Sequence, residues 1–164
     1  MLELDIPGFG FLSLEHLVLD FNGTLAHDGA LLPGVAGNLR RLAGELSLHV
    51  VTADTHGGCA RALDGLPVRL TVLKRPAIPR DSGNGEDEAK LALVRSLGAT
   101  HCAAVGNGRN DALMLQAAAV GVAVVQGECA AMAALHGADL IAPDILAALG
   151  LFLVPARLLA GLRQ

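Results

Sequence analysis

The stretch His16-Leu-Val-Leu-Asp20-Phe-Asn-Gly-Thr-Leu25 decides the fold. Its first half is a short apolar run closed by a charge at Asp20, the pattern of a buried parallel strand that delivers one carboxylate to its end. Its second half is a turn with a glycine at its centre. Upstream, residues 2–6 alternate, residues 7–10 (Pro-Gly-Phe-Gly) turn, and residues 11–15 run on, which predicts a β-hairpin.

Downstream, residues 33–46 carry Val35, Leu39, Leu42 and Leu46 at helical spacing behind the starter Pro33. A second strand is expected over 48–52, a short helix over 56–63 and a third strand over 68–73. Pro, Gly, Asn, Asp and Ser crowd residues 76–85, which predicts a loop. A helix follows over Glu86–Leu97, ended by Gly98. The pattern continues as strand 101–105, helix 110–119, strand 120–125, helix 129–135 and strand 139–142. Residues 144–162 are helical with a break near Pro155.

Strands and helices thus alternate from residue 16 onward. That pattern predicts an α/β fold, a three-layer sandwich with a parallel central sheet and helices on both faces. One domain is expected over 1–164: an N-terminal hairpin (1–15), a core (16–150) and a C-terminal helix (151–164), with no separate cap domain.

Composition narrows the function classes. The chain is 52% hydrophobic and 17% charged, so a folded core is expected. Aromatics make up only 2%, with no Trp or Tyr, which argues against nucleic-acid binding by base stacking. A net charge of −4 gives no attraction to nucleic acid or anionic membranes. Cys59, Cys102 and Cys129 have neither disulfide-framework nor zinc spacing, which fits a reducing compartment. The N-terminus lacks a signal-peptide pattern, and the apolar stretch 145–154 is too short to span a bilayer. A cytoplasmic location is expected.

In parallel sheets ligands bind at the carboxyl ends of the strands. After the first core strand comes Asp20-Phe-Asn-Gly-Thr-Leu, and after the second Thr52-Ala53-Asp54. After the third comes a loop leading to the helix with Lys90, and after the fourth Gly106-Asn-Gly-Arg-Asn-Asp111. A carboxylate nucleophile, a hydroxyl and a lysine for phosphate oxygens, and acidic groups for Mg²⁺ form a phosphoryl-transfer set.

These four segments resemble the motifs of the haloacid dehalogenase (HAD) superfamily of phosphohydrolases and phosphotransferases. DFNGTL is similar to DxDGT[LV], Thr52 to the Thr or Ser of the second motif, Lys90 to the third, and GNGRND to GDGxND. Within the superfamily the pattern is most similar to the phosphorylation domain of P-type ATPases (DKTGT, TGD, GDGxNDxPAL) and to its small soluble relatives. The resemblance implies that Asp20 forms an aspartyl-phosphate while Thr52 and Lys90 hold phosphate oxygens. Gly23, Thr24, Ala53, Asp54 and Asn110 would surround the substrate, a small-molecule phosphate ester or anhydride. Asp20, Asn22, Asn107 and Asp111 would hold Mg²⁺, with Asn22 acting through its backbone carbonyl.

Two positions depart from the pattern. Asn22 stands where the family's phosphatases have an acid–base Asp, and Asn107 stands where the fourth motif has its first Asp. An amide cannot trade protons, and positioned acid–base catalysis is worth about 10²–10⁴ in rate. The expected substrates are therefore activated phosphates, whose leaving groups need no proton. The alternative is a weakly catalytic or inactive phosphate-binding or regulatory domain.

Several residues keep two readings. Lys74 competes with Lys90 for the phosphate, and Asp54 fits either a substrate contact or a helix N-cap. His27 and Asp28 are either a solvated turn or a replacement proton acceptor on the small flap the family places after its first motif. An open site and an apolar hairpin over 2–15 lead us to expect a homo-oligomer.

Overall fold

The computed structural model describes residues 1–53, 58–73 and 85–164. Two strands, β1 (Leu2–Ile6) and β2 (Gly10–Leu14), form the antiparallel N-terminal hairpin, with Leu4 opposite Leu12. Strand β3 (His16–Asp20) follows at once. Two short strands, β4 (Ala26–His27) and β5 (Ala30–Leu31), then make a small flap. The chain continues through helix α1 (Val35–Leu42), β6 (Ser47–Thr52), α2 (Cys59–Ala62) and β7 (Val68–Val72). After α3 (Glu86–Leu97) come β8 (Cys102–Gly106), α4 (Ala112–Ala117) and β9 (Val120–Val124). The chain closes with α5 (Met132–Gly137), β10 (Leu140–Ala142), α6 (Ile145–Leu153) and α7 (Pro155–Leu162).

The central sheet has the order β10-β9-β8-β3-β6-β7 and every pairing in it is parallel. The expected α/β architecture is therefore observed. Strand β3 lies in the interior because its side chains are apolar on both faces. Alternate residues point to opposite sides of a strand. Leu17 and Leu19 enter a large core with α1, α6, α7 and the hairpin, whereas Val18 enters a smaller one with α3, α4 and α5. The chain runs outward from β3 to β6 and β7, then crosses back to β8 on the other side of β3. That reversal makes a topological switch point, the place where open parallel sheets open a crevice.

Local differences from the expected elements have physical causes. Helix α1 stops at Leu42 although Leu46 continues the apolar spacing, because Gly44 is a poor helix former and the chain turns there. A 3₁₀ turn at Arg109–Asp111 replaces the first turn of the expected helix 110–119, since Asp111 turns its side chain back onto the loop. The helix expected over 129–135 begins later, at Met132, after Cys129 takes a left-handed φ of 63°. The expected loop 76–85 and the start of the helix expected over 56–63 lie largely outside the described residues.

The hairpin is less free than its sequence suggests. Leu2, Ile6, Leu12 and Leu14 are buried in the large core, and of the large apolar side chains in residues 2–15 only Phe9 and Phe11 are exposed. Helices α6 and α7 meet at 104°, and among the described residues no single helix is long and apolar enough to cross a membrane.

Candidate active site

The loop after β3 is folded by its own backbone. The Phe21 carbonyl accepts hydrogen bonds from the amides of Thr24, Leu25 and Ala26, and the Gly23 amide donates to the Ala26 carbonyl. Gly23 has φ 78°, and a Cβ there would lie 2.5 Å from Asn107 Nδ2. Glycine is needed on both counts: the backbone is left-handed, and the β8 loop packs directly against it. Gln126, beyond β9, fixes the same loop from the other side. Its amide donates to the carbonyls of Gly23 (3.0 Å) and Thr24 (2.7 Å) and accepts from Ile145 N (2.9 Å).

Asp20 and Gly106 end neighbouring strands, since Leu19 pairs with Val105. Between them lies Lys90, fully buried although it is a lysine. Its Nζ is 2.6 Å from Asp20 Oδ1 and 2.6 Å from Asp111 Oδ1. Asp111 is also fully buried, and its Oδ2 accepts the amides of Asn107 (3.0 Å) and Gly108 (2.7 Å). Asp111 thus folds the 106–111 turn and aims Lys90 at Asp20. A Cβ at Gly106 would lie 2.5 Å from Asp111 Cγ, so this packing requires glycine there. The Thr24 hydroxyl lies 3.2 Å from both Asp20 Oδ2 and Asn107 Oδ1 and donates to one at a time.

Two carboxylates share one ammonium in a buried place. Burial and the charge of Asp111 push Asp20 up from its ordinary value of 3.8 to about 7, against the opposing pull of Lys90. Burial alone would lower Lys90, but the two carboxylates outweigh it and hold the ammonium firmly charged.

In front of this cluster opens a polar pocket of about 200 Å³, walled by Asp20, Asn22, Thr52, Ala53, Asn107 and Asn110. Glu86 and Glu128 stand at it too, and Glu86 holds Asn110 through a 3.0 Å hydrogen bond. Of the residues singled out in the sequence, Asp20, Asn22, Gly23, Thr24, Thr52, Ala53, Lys90, Asn107, Asn110 and Asp111 are brought to this one place. Asp54 and Lys74 lie outside the described residues. Asp111 does not face the pocket: both its oxygens are engaged by Lys90 and the turn amides.

Oxygen donors dominate the pocket wall, with neither thiolate nor imidazole among the lining residues described. Asn22 Oδ1 is buried with no hydrogen-bond partner among the described residues. An oxygen-only donor set with an unsatisfied acceptor fits a hard cation such as Mg²⁺.

Two contributors had no place in the motif pattern, Gln126 and Glu128. Both follow β9, and the rule that ligands gather beyond strand ends applies to that strand as well. At the rim, His27 lies between two carboxylates, 3.4 Å from Glu128 and 3.4 Å from Asp28.

No family model matches the sequence, and no curated protein matches it either. Solved structures do match in fold. One is the 3-deoxy-D-manno-octulosonate 8-phosphate phosphatase from Moraxella catarrhalis, in complex with magnesium, phosphate and KDO. It has a TM-score of 0.66 and 17% identity, over 85% of this chain and 86% of that one. A putative HAD superfamily (subfamily III A) hydrolase from Legionella pneumophila has a TM-score of 0.67 and 19% identity, over 91% and 86%. A zinc-transporting PIB-type ATPase has a TM-score of 0.58 and 21% identity, over 79% of this chain but only 20% of that one. The parallel sheet, its strand-end crevice and these likenesses together show that the chain has the fold of the HAD superfamily.

Proposed function

We propose that the protein is a Mg²⁺-dependent phosphoryl-transfer enzyme that works through an aspartyl-phosphate on Asp20. The observation that carries this reading is the buried Asp20–Lys90–Asp111 cluster, opening on an oxygen-lined pocket at the switch point of the sheet. Asp20 Oδ2 is the attacking oxygen, because Oδ1 is taken up by Lys90. Lys90 orients Asp20 and presents positive charge to the incoming phosphoryl oxygens. Thr52 and Asn110, on the pocket wall, bind those oxygens. Asp111 positions Lys90, and its Oδ1, which among the described residues accepts only from Lys90, keeps a lone pair for a metal ion.

Asp20, Asn107 and the Asn22 carbonyl would hold Mg²⁺, whose chemistry here is to offset charge on the phosphoryl oxygens. Asn22 cannot exchange protons. Glu128, a pocket carboxylate, takes a proton from water when the aspartyl-phosphate is hydrolysed, through Oε2, while His27 and the Asp28 amide hold Oε1. The substrate is an activated phosphate: an aryl ester, acyl phosphate or anhydride.

The similarity to a KDO-bound phosphatase supports phosphate chemistry, not that sugar, at 17% identity. A second reading, a phosphorylated but barely catalytic domain, is favoured by the amides at 22 and 107. The experiment is phosphoenzyme trapping with labelled acetyl phosphate and Mg²⁺. Wild type is expected to carry acid-stable, hydroxylamine-labile phosphate and Asp20→Asn none. Label that persists in Asp20→Asn removes the proposal. Label on wild type without multiple turnover of p-nitrophenyl phosphate selects the second reading.

A further inference from the structure

A second cavity, about 270 Å³, lies behind the flap and adjoins the phosphoryl pocket. Glu128 lines both, and Gly23, the neighbour of Asn22, forms part of its floor. Its walls are Ala26 and Leu32 from the flap, Pro33, and Ile145 and Leu146 from the start of α6. The cavity is slightly smaller than the range of about 300–1,000 Å³ usual for drug-sized ligands, so its occupant is compact.

Several of the polar groups that reach this cavity are committed to the fold, and they stand at one side of it. Both N–H groups of the Gln126 amide donate to the loop carbonyls, and its oxygen accepts from Ile145 N. Asp144 Oδ1 caps α6 through Ala147 N at 2.8 Å. His27 and Glu128 pair with each other at the mouth. A hydroxyl placed against the apolar wall of Leu32, Pro33, Ile145 and Leu146 would leave water and gain no partner there, which is unfavourable. An apolar group would exchange water for Leu32, Pro33, Ile145 and Leu146, which is favourable.

We propose that this cavity seats the leaving group of the phosphorylated substrate, and that this group is a compact apolar aryl ring rather than a hydroxylated sugar. The inference rests on the aspartyl-phosphate reading of Asp20. The missing acid at position 22 agrees with it. Asp20 forms a new O–P bond while the P–O(aryl) bond breaks. The electron pair leaves with the phenolate, which is stable enough to depart before taking a proton from solvent.

The test compares 3-methylphenyl phosphate with 3-hydroxyphenyl phosphate, which differ little in size. The readout is the single-turnover rate of aspartyl-phosphate formation on the full chain with Mg²⁺, at subsaturating substrate. A well-placed methyl group is worth about tenfold or more in such comparisons. The methyl compound is therefore expected to react at least about tenfold faster. Leu146→Asn, at a partly exposed position, is expected to reduce that ratio toward one, with its melting curve showing that it is folded. A wild-type ratio near one overturns the inference if acetyl phosphate still labels Asp20. A ratio unchanged in folded Leu146→Asn overturns the placement of the ring in this cavity. Failure of acetyl phosphate to label Asp20 overturns the underlying reading and the inference with it.

Discussion

Replacing Lys90 by Met isolates what the buried ammonium does. The substitution keeps a long flexible side chain but leaves Asp20 and Asp111 in a closed space with no cation bonded to them among the described residues. In the wild type one carboxyl already resists ionisation, since Asp20 stands at about 7. Without Lys90 the second negative charge is left in that space with no cation beside it among the described residues. Holding one carboxyl neutral at about pH 7, against an unfolded value of about 3.9, costs roughly 1.4 kcal/mol per pH unit, or about 4 kcal/mol. This agrees with the ~3–5 kcal/mol typical for removing one partner of a buried ion pair. A group whose folded value is raised loses stability as pH rises from its unfolded value toward its folded one. The penalty of Lys90→Met is therefore expected to grow with pH. By the same arithmetic it is about 4 kcal/mol near pH 7 and about 1.5 kcal/mol near pH 5. Urea unfolding of wild type and variant at both pH values measures it. A penalty below about 1 kcal/mol near pH 7, or one that does not change with pH, refutes the argument that Lys90 is held by two ionisable carboxylates.

Other expectations follow from individual contacts. Asn22→Asp should raise turnover of alkyl phosphates by about 10²–10⁴ and that of p-nitrophenyl phosphate much less, because only the alkoxide needs a proton; equal effects on the two would show that position 22 does not act on the leaving group. Gly106→Ala should lower the rate of phosphoenzyme formation, because its Cβ would lie 2.5 Å from Asp111 Cγ. Gly121→Ala should lower the melting temperature instead, because its Cβ would lie 2.4 Å from the Leu115 carbonyl, away from the pocket. Glu128→Gln should leave labelling by acetyl phosphate intact but slow loss of the label, measured by chase with unlabelled acetyl phosphate. A chase rate equal to wild type would remove Glu128 from that step.

The order of elements was legible because each strand of the core is a short apolar run bounded by turn residues. Asp20 and the 106–111 turn stood out for the same reason: polar residues at strand ends have no packing role to explain them. The flap was not legible as strands, since Ala26–His27 and Ala30–Leu31 are too short to show a period. Gln126 and Glu128 escaped notice because their importance lies in what they reach across the sheet, namely the carbonyls of Gly23 and Thr24 and the polar pocket.

Asp111 shows most clearly what spacing cannot supply. In the sequence it is another carboxylate beside a pocket with too few acids, and a metal ligand is the natural expectation. In three dimensions Gly106 and Gly108 let the turn close so tightly that one Asp111 oxygen takes two backbone amides and the other takes Lys90. These bonds orient the carboxylate without using every lone pair, since Oδ1 accepts only from Lys90 among the described residues. Its charge behind the lysine keeps Lys90 protonated and raises Asp20 toward neutrality. Asp111, which orients Lys90, therefore also restrains Asp20. A cation on the open side of Asp20 would offset that restraint, so labelling of Asp20 should extend to lower pH as Mg²⁺ concentration rises. A pH dependence of labelling that is the same at all Mg²⁺ concentrations would mean that the ion does not act on Asp20.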